Sequence, residues 1–358
     1  MSDQLLEETL ERVLARHCEP SDRQRAEAEG WLEACWDALA EAGLVWLGVG
    51  EAAGGSGGDI TDAALLVRMA GAHAVPLPLA ECSLLGGWLI DQAGLTLPDG
   101  PVTVAVPRRG DDLAVDAAGR LSGRLQRVPW GRRASAVAAV AHGNDGPVAV
   151  LVDPRSAAAT FGTNMAGEPR DCLEYDSVAL AASSVASVSA EVATQLELRG
   201  ALSRALLLAG AAGSASSLTV SYASERRQFG RPVAAFQAVA QRLVRMASEA
   251  EAAMLAASVA VQRFADLGGV GREAAEIVAL ARAAVSRSAA EVAANAHQVH
   301  GAIGMTQEYP LHHFTRRIWV WGHEWGSEQF WNARIGVSVA AEGAEALWSE
   351  VTGGLRAS

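Results

Sequence analysis

A chain of 358 residues, half of them apolar and one in five charged, is globular and too long for one small core; it fits two or three packed units. A net charge of −12 excludes nucleic acid as the partner, because phosphate backbones require a clustered basic surface. An acidic chain with one short basic run suits a small anionic ligand instead.

Cys18, Cys35, Cys82 and Cys172 form no C-x-x-C pair and have no histidine at zinc spacing, so they read as small buried residues of a reducing compartment. The opening MSDQLLEETLERVL is acidic and amphipathic where a secretory signal is basic and then apolar. The longest wholly apolar run, 205–213, is too short to span a bilayer. A cytoplasmic protein without a membrane partner is expected.

In chain order, 2–15 and 27–42 carry apolar residues at helical spacing, the second with Trp31, Leu32, Trp36 and Leu39 on one side. A glycine-rich loop follows, with Asp59 or Thr61 as N-cap of a helix holding Leu65, Leu66 and Met69. Gly54, Gly55, Gly57 and Gly58 match no phosphate-loop pattern. An apolar helix over 82–93 and the proline-containing 97–101 close the first unit. From 102 to 189 the texture changes to short β-prone runs separated by Gly, Asp and Asn, which gives a small β-domain. Long helices return over 196–222, 234–265 and 272–300, and helices of this length pack as an antiparallel bundle. Gly200, Gly210 and Gly213 in the first of them point to close helix approach. The predicted fold is α+β and mostly α: an N-terminal helical domain (1–100), a middle β-domain (101–190) and a C-terminal four-helix bundle (191–358).

Two stretches stand out as chemistry. ERRQFGRPVAAFQ places Arg226, Arg227 and Arg231 at a turn beside Phe229, fixed positive charge next to an aromatic face. The arginines alone fit a solvated basic turn; with the aromatic they suit a flat, phosphorylated cofactor. QVHGAIGMTQEYP ends a helix at Gly301 and Gly304, where the lack of a Cβ lets backbone approach a ligand, or where the chain simply caps and turns.

In register together, these strings resemble the two C-terminal signatures of the acyl-CoA dehydrogenase family, and the resemblance extends over nearly the whole chain. It implies FAD bound across a subunit interface, with contacts from Arg226, Gln228, Phe229, Phe236 and Gln237, and from Gln298, Val299, Gly301 and Ala302, the last in place of the family's second glycine. Counting on without a gap, Gly326, Ser327 and Gln329 fall at further cofactor positions. The middle domain lacks the family's Thr-Glu-Pro-x-x-Gly-Ser-Asp stretch. Trp325 falls where many members carry the glutamate base, and Gly200 where one branch carries its base on the preceding helix. An indole is no proton acceptor, so no catalytic residue is assigned.

Glu324, among Trp319, Trp321, Trp325 and Trp331, is the remaining carboxylate. Partial desolvation would raise its pKa, and it would act as base only if the backbone slips by one residue; otherwise it is structural or salt-bridged. Histidines 297, 300, 312, 313 and 323 have apolar or arginine neighbours, and no metal is expected. The resemblance implies α,β-dehydrogenation of an acyl-CoA thioester, with an electron-transfer flavoprotein or similar acceptor. The missing base and short length resemble one chain of a heteromeric, actinobacterial type of the family, an α2β2 tetramer in which a sister chain supplies the base. A non-catalytic structural subunit and a homo-oligomer working through Glu324 are the alternatives.

Overall fold

The computed structural model describes residues 3–105 and 111–342, so residues 1–2 and 343–358, the ends of the first and last expected units, lie outside the described residues. Leu6, Leu10 and Leu14 recur every four residues and bury one stripe of α1 (Asp3–His17). The helix expected over 27–42 is instead two, α2 (Pro20–Glu29) and α3 (Glu33–Glu41). Gly30 at φ 72° ends α2 in the left-handed conformation, and Trp31 and Leu32 drop into the core before α3 starts. A glycine C-cap overrides the apolar rhythm.

Asp59 caps α4 (Ile60–Ala72), accepting from the Thr61 N–H at 2.7 Å while the Asp62 carboxylate accepts from the Asp59 N–H at 3.1 Å. The glycine loop before it is structural: Val49 bridges Gly57, and a Cβ on Gly55 would meet the Val49 carbonyl carbon at 2.6 Å. A π-helical turn, Glu81–Gly87, leads into α5 (Trp88–Gln92).

The strands are β1 (Val102–Val104), β2 (Ala114–Val115), β3 (Arg120–Pro129), β4 (Ala136–Gly143), β5 (Gly146–Val152), β6 (Ala158–Thr160), β7 (Arg170–Ala179) and β8 (Val185–Ser187). They form one sheet in the order β6, β7, β3, β2, β4, β5, β8, with β1 beside β4. Only β1 and β2 run parallel to β4; the other pairs are antiparallel. Alternate residues such as Leu121, Leu125, Val137, Val150 and Tyr175 make a core of the sheet's own.

After the sheet come α6 (Ala190–Glu225), α7 (Gln237–Asp266), α8 (Gly271–His300), α9 (Leu311–Trp321) and α10 (Glu328–Glu342). Helices α6, α7 and α8 pack on one another, α10 lies on α8, and α9 on α6. Among the described residues α6 is the one helix long and apolar enough to cross a membrane, and 61% of its most apolar window is buried in the protein. Cys18, Cys35 and Cys82 are buried thiols, whereas Cys172 is half-exposed.

Small residues let α6 approach α4. A Cβ on Gly71 would lie 2.7 Å from the Leu207 Cα, and one on Gly210 would strike the Arg68 carbonyl oxygen and the Ala72 nitrogen. Gly213, by contrast, has nothing within 4 Å of its Cβ position. Gly210→Ala is therefore expected to destabilise by about 1–3 kcal/mol through overpacking, while Gly213→Ala stabilises by about 0.5–1 kcal/mol through helix propensity. Opposite shifts in the denaturant midpoint check the pair; equal shifts would refute the close crossing.

Candidate functional site

The residues singled out from sequence fall into two groups, at opposite ends of α6. At its C-terminal end the chain turns through a two-stranded hairpin, β9 (Arg227–Gln228) and β10 (Arg231–Pro232), closed by Phe229 at φ 51° and Gly230 at φ 81°. Consecutive left-handed residues are what a tight two-residue hairpin requires. The hairpin stands clear of the protein. Phe229 is 92% exposed, Arg226, Arg227, Gln228 and Arg231 are exposed, and none of the three arginines pairs with a carboxylate among the described residues. The stacking partner differs from the expectation: Arg231 lies over the ring of Phe236 at 4.1 Å, and Phe236 meets Phe229 edge-on at 6.2 Å. Phe236 is also the N-cap residue of α7, and Gln237 begins that helix, exposed.

The second signature joins this end through aromatic packing. Tyr222, one turn before the hairpin, stacks on His300 at 4.3 Å, and its hydroxyl donates to the His300 carbonyl oxygen at 3.4 Å. His300 closes α8 just after Gln298 and Val299. Gly301 follows at φ 63°, ψ −139°, with open space where a Cβ would be, and Ala302 is exposed beside it. That backbone angle belongs to glycine. Charge, an exposed ring and uncovered glycine backbone thus meet on one surface, a donor set that fits the phosphates and flat rings of a dinucleotide.

The other group, Gly326, Ser327 and Gln329, sits near the N-terminal end of α6. Here Trp325 packs against Gly200, where an added Cβ would come 2.0 Å from the indole ring. Gly200 and Tyr222 are 22 positions apart on one helix, about 33 Å at 1.5 Å per residue. The two groups cannot touch one isoalloxazine ring within one chain. Gly326, at φ 93°, is covered by its own chain, a Cβ there meeting Phe330 at 2.6 Å. The Ser327 hydroxyl accepts from the Phe330 N–H at 3.3 Å, and Gln329 is exposed at the start of α10.

A cleft of 730 Å³ opens between the sheet and the bundle beside Trp325, lined by Val104, Gln126, Arg127, Thr194, Glu197, Phe330 and others. Arg127 is exposed there at φ 56°, where the β3–β7 register slips between Leu125 and Val128. Bulges of this kind re-aim a side chain.

The floor of the cleft is ionic. Glu324 Oε1 accepts from Arg170 Nε at 2.8 Å, and its Oε2 from Arg204 Nε at 2.9 Å. Arg204 reaches on to Glu81 at 2.6 Å, and Arg170 to Glu168 at 2.9 Å. Arg317 lies 3.2 Å from Glu168 and 3.8 Å from Glu27, which also holds His313 at 2.8 Å and Arg316 at 2.6 Å. Behind Glu324, Arg282 donates to the backbone oxygens of Trp321 at 2.8 Å and Glu324 at 3.0 Å; burial holds its pKa down to about 9.

Of the two readings of Glu324, the salt-bridged one holds and the raised pKa is corrected. Burial alone would raise its pKa, but Arg170 and Arg204 outweigh it and hold the carboxyl at about 2. The backbone has not slipped: Trp325, not Glu324, faces Gly200. Sequence reasoning missed Arg170 and Arg204, and with them Glu168 and Glu81. The available signal was an arginine inside the apolar run ALSRALLLAG, where a charge demands a buried partner. Glu27, His312 and His313 bring ligand atoms within 4.8 Å of one another, a grouping hidden from spacing because Glu27 lies 286 positions from His313. The guanidinium groups already on Glu27 oppose a cation there.

Family models match at both ends of the chain, the acyl-CoA dehydrogenase N-terminal domain over 2–95 and its C-terminal domain over 191–335. The chain is 30% identical over 328 residues to acyl-CoA dehydrogenase IpdE2 of Mycobacterium tuberculosis, covering 88% of this chain and 90% of that one. Among solved structures it is similar to a variant of the Tcur3481–Tcur3483 steroid ACAD, with TM-score 0.84, 25% identity, and 96% of this chain and 98% of that one covered. It likewise shares its fold with a chain of the ChsE4–ChsE5 complex of Mycobacterium tuberculosis, with TM-score 0.84, 23% identity, and 94% and 96% covered.

Removing one member of a buried ionic chain leaves the others uncompensated. Glu324→Gln is therefore expected to destabilise by about 3–5 kcal/mol, read from the urea midpoint; a midpoint unchanged from wild type would show the pairing to be idle. Glu324 and Glu27 are both held at about 2, below their values in the unfolded chain. Their contribution is thus complete above about pH 4.5 and drains away as pH falls toward 2. Urea midpoints measured from pH 6 to pH 2.5 should fall over that window, and Glu324→Gln should flatten the fall.

Proposed function

The chain belongs to the acyl-CoA dehydrogenase family, an oxidoreductase acting on acyl-CoA, and from that premise we propose that it works as one subunit of a heteromeric enzyme, lending FAD contacts to a sister chain that carries the base. One observation carries the reading. The end of α6 suited to the phosphates and flat rings of FAD is open and points outward, while the end about 33 Å away that would face the reacting carbons is filled by Trp325.

In this reading Arg226, with Arg227 and Arg231 beside it, holds the cofactor's phosphates, Phe229 and Phe236 pack its flat groups, and Gln228, Gln237 and Gln298 supply orienting hydrogen bonds. Gly301 and Ala302 let backbone approach, with Val299 close by in the chain. Bound FAD supplies what side chains cannot, an acceptor for the hydride leaving the β-carbon, the electrons passing on to an electron-transfer flavoprotein or similar acceptor. The α-proton needs a carboxylate. Glu324 has both oxygens held by guanidinium groups, and neither Trp325 nor Gly200 accepts a proton, so the base comes from the sister chain. The names of the two similar solved structures, each a pair of chains and one a steroid ACAD, favour a two-chain assembly in steroid or lipid breakdown. A cytoplasmic setting is part of the same proposal.

Co-purified with its sister chain, the wild type is expected to carry flavin. Arg226→Ala should weaken FAD binding by roughly 10- to 150-fold, the loss of a charge-assisted contact worth about 1.5–3 kcal/mol, and Phe229→Ala should also lower flavin content. Absorbance at 450 nm per assembled protein measures both. Undiminished flavin and desaturation in Arg226→Ala would make the hairpin scaffold and favour a structural subunit. A yellow homo-oligomer bleached by acyl-CoA would overturn the heteromeric reading.

A further inference from the structure

A groove of 580 Å³ runs along the C-terminal half of α6, bounded by α2, α4, α7 and the start of α9. None of the residues assigned to the cofactor lines it. Its floor is open because α6 carries small residues on this face: Gly213 has nothing within 4 Å of its Cβ position, and Ser217 and Ser221, one and two turns on, are exposed. Leu218, Met254 and Phe314 supply an apolar wall.

Among the described residues no carboxylate lines the groove, in a chain of net charge −12, whereas Arg23, Arg68 and His73 all do. Two of these three are answered from α1: Arg68 pairs with Glu7 at 2.6 Å and His73 with Glu11 at 2.9 Å. Arg23 is not. It is only 6% exposed, and its Nη1 donates to the Cys18 and His73 carbonyl oxygens at 2.7 and 2.9 Å. Its buried Nε has no partner, and its Nη2 makes no hydrogen bond among the described residues. The neighbouring Cys18 is no counter-ion, because burial outweighs Arg23 and pushes the thiol's pKa up. A guanidinium out of water without a carboxylate is costly; the equally buried Arg170 and Arg204 each hold two.

One unpaired cation matches one negative charge, a guanidinium edge matches the two oxygens of a carboxylate, and the apolar wall matches a hydrocarbon body. We propose that this groove is a binding site for a monocarboxylate with an apolar body, its carboxylate on Arg23 and its hydrocarbon lying across Gly213 toward Met254. The site lies within one chain, so it stands or falls separately from the heteromeric reading.

Octanoate and 1-octanol, one chain length with and without the charge, are compared by titration calorimetry on the full chain. Octanoate should bind at least tenfold more tightly. Ser217→Glu, at an exposed position, sets a like charge in the groove and should weaken octanoate at least tenfold, whereas Ser217→Gln, of nearly equal size, should change it less than threefold. Arg23→Gln should bring octanoate down to the affinity of octanol. Should that variant not fold, the Ser217 pair decides alone. Absent octanoate binding, or equal affinity for acid and alcohol, overturns the proposal. So does octanoate binding indifferent to Ser217→Glu, which would place the ligand elsewhere, the 730 Å³ cleft first. Octanoate bound by the chain alone but released on assembly with the sister chain would give the groove to a partner's carboxylate and overturn it too.

Discussion

The structure turns on the pairing of Arg204 with Glu324. Arg204 is buried on a bundle helix and Glu324 mostly so in the turn between α9 and α10, and neither can stay charged out of water without a partner. From this pair the chain of charges extends through Arg170 and Glu168 on the sheet side, through Glu81 ahead of α5, and by way of Arg317 to Glu27 on α2. N-terminal helices, sheet and bundle therefore share one ionic seam. Its geometry also sets the next turn: with Glu324 held by its side chain and, through Arg282, by its carbonyl, Trp325 is left in the left-handed region and its ring falls on Gly200.

The same seam decides what this part of the chain can do. A carboxylate serves as a base when a lone pair faces the substrate and its pKa lies near the working pH. Both oxygens of Glu324 accept from guanidinium groups, and its pKa is driven the other way. What makes the residue effective as a structural tie disqualifies it as a catalyst. On the proposed reading, the chain's contribution comes from its other end, where Arg226, Arg227 and Arg231 have no carboxylate partner among the described residues.

Local signals were legible in the sequence because their causes are local. The Asp59 cap, the strand texture of the sheet, the long helices of the bundle and both signature turns appear where spacing and turn chemistry place them. The helix over 27–42 failed because a single glycine conformation at Gly30 outranked its periodicity. The seam was invisible for a different reason. Its partners lie as far apart in sequence as Glu168 and Arg317, or Glu81 and Arg204, and no pattern of spacing reports a pairing that only tertiary packing creates. Desolvation of Glu324 was read correctly from its tryptophan neighbours, yet the sign of its pKa shift depended on two arginines 154 and 120 positions away.

Because hairpin and cleft hang from one helix, their separation is fixed, and that constrains any assembly. In a symmetric homo-oligomer every hairpin would meet an identical cleft, since symmetry offers each copy the same surfaces. On the proposed reading, each such site would join the exposed hairpin to a cleft floored by ion pairs, with Trp325 packed on Gly200 where a carboxylate base is expected. Repeating the chain repeats the deficiency. On the proposed reading, a different partner with its own carboxylate is the arrangement in which the exposed arginines and Phe229 gain a ligand, and the asymmetry of one helix is matched by the asymmetry of the assembly.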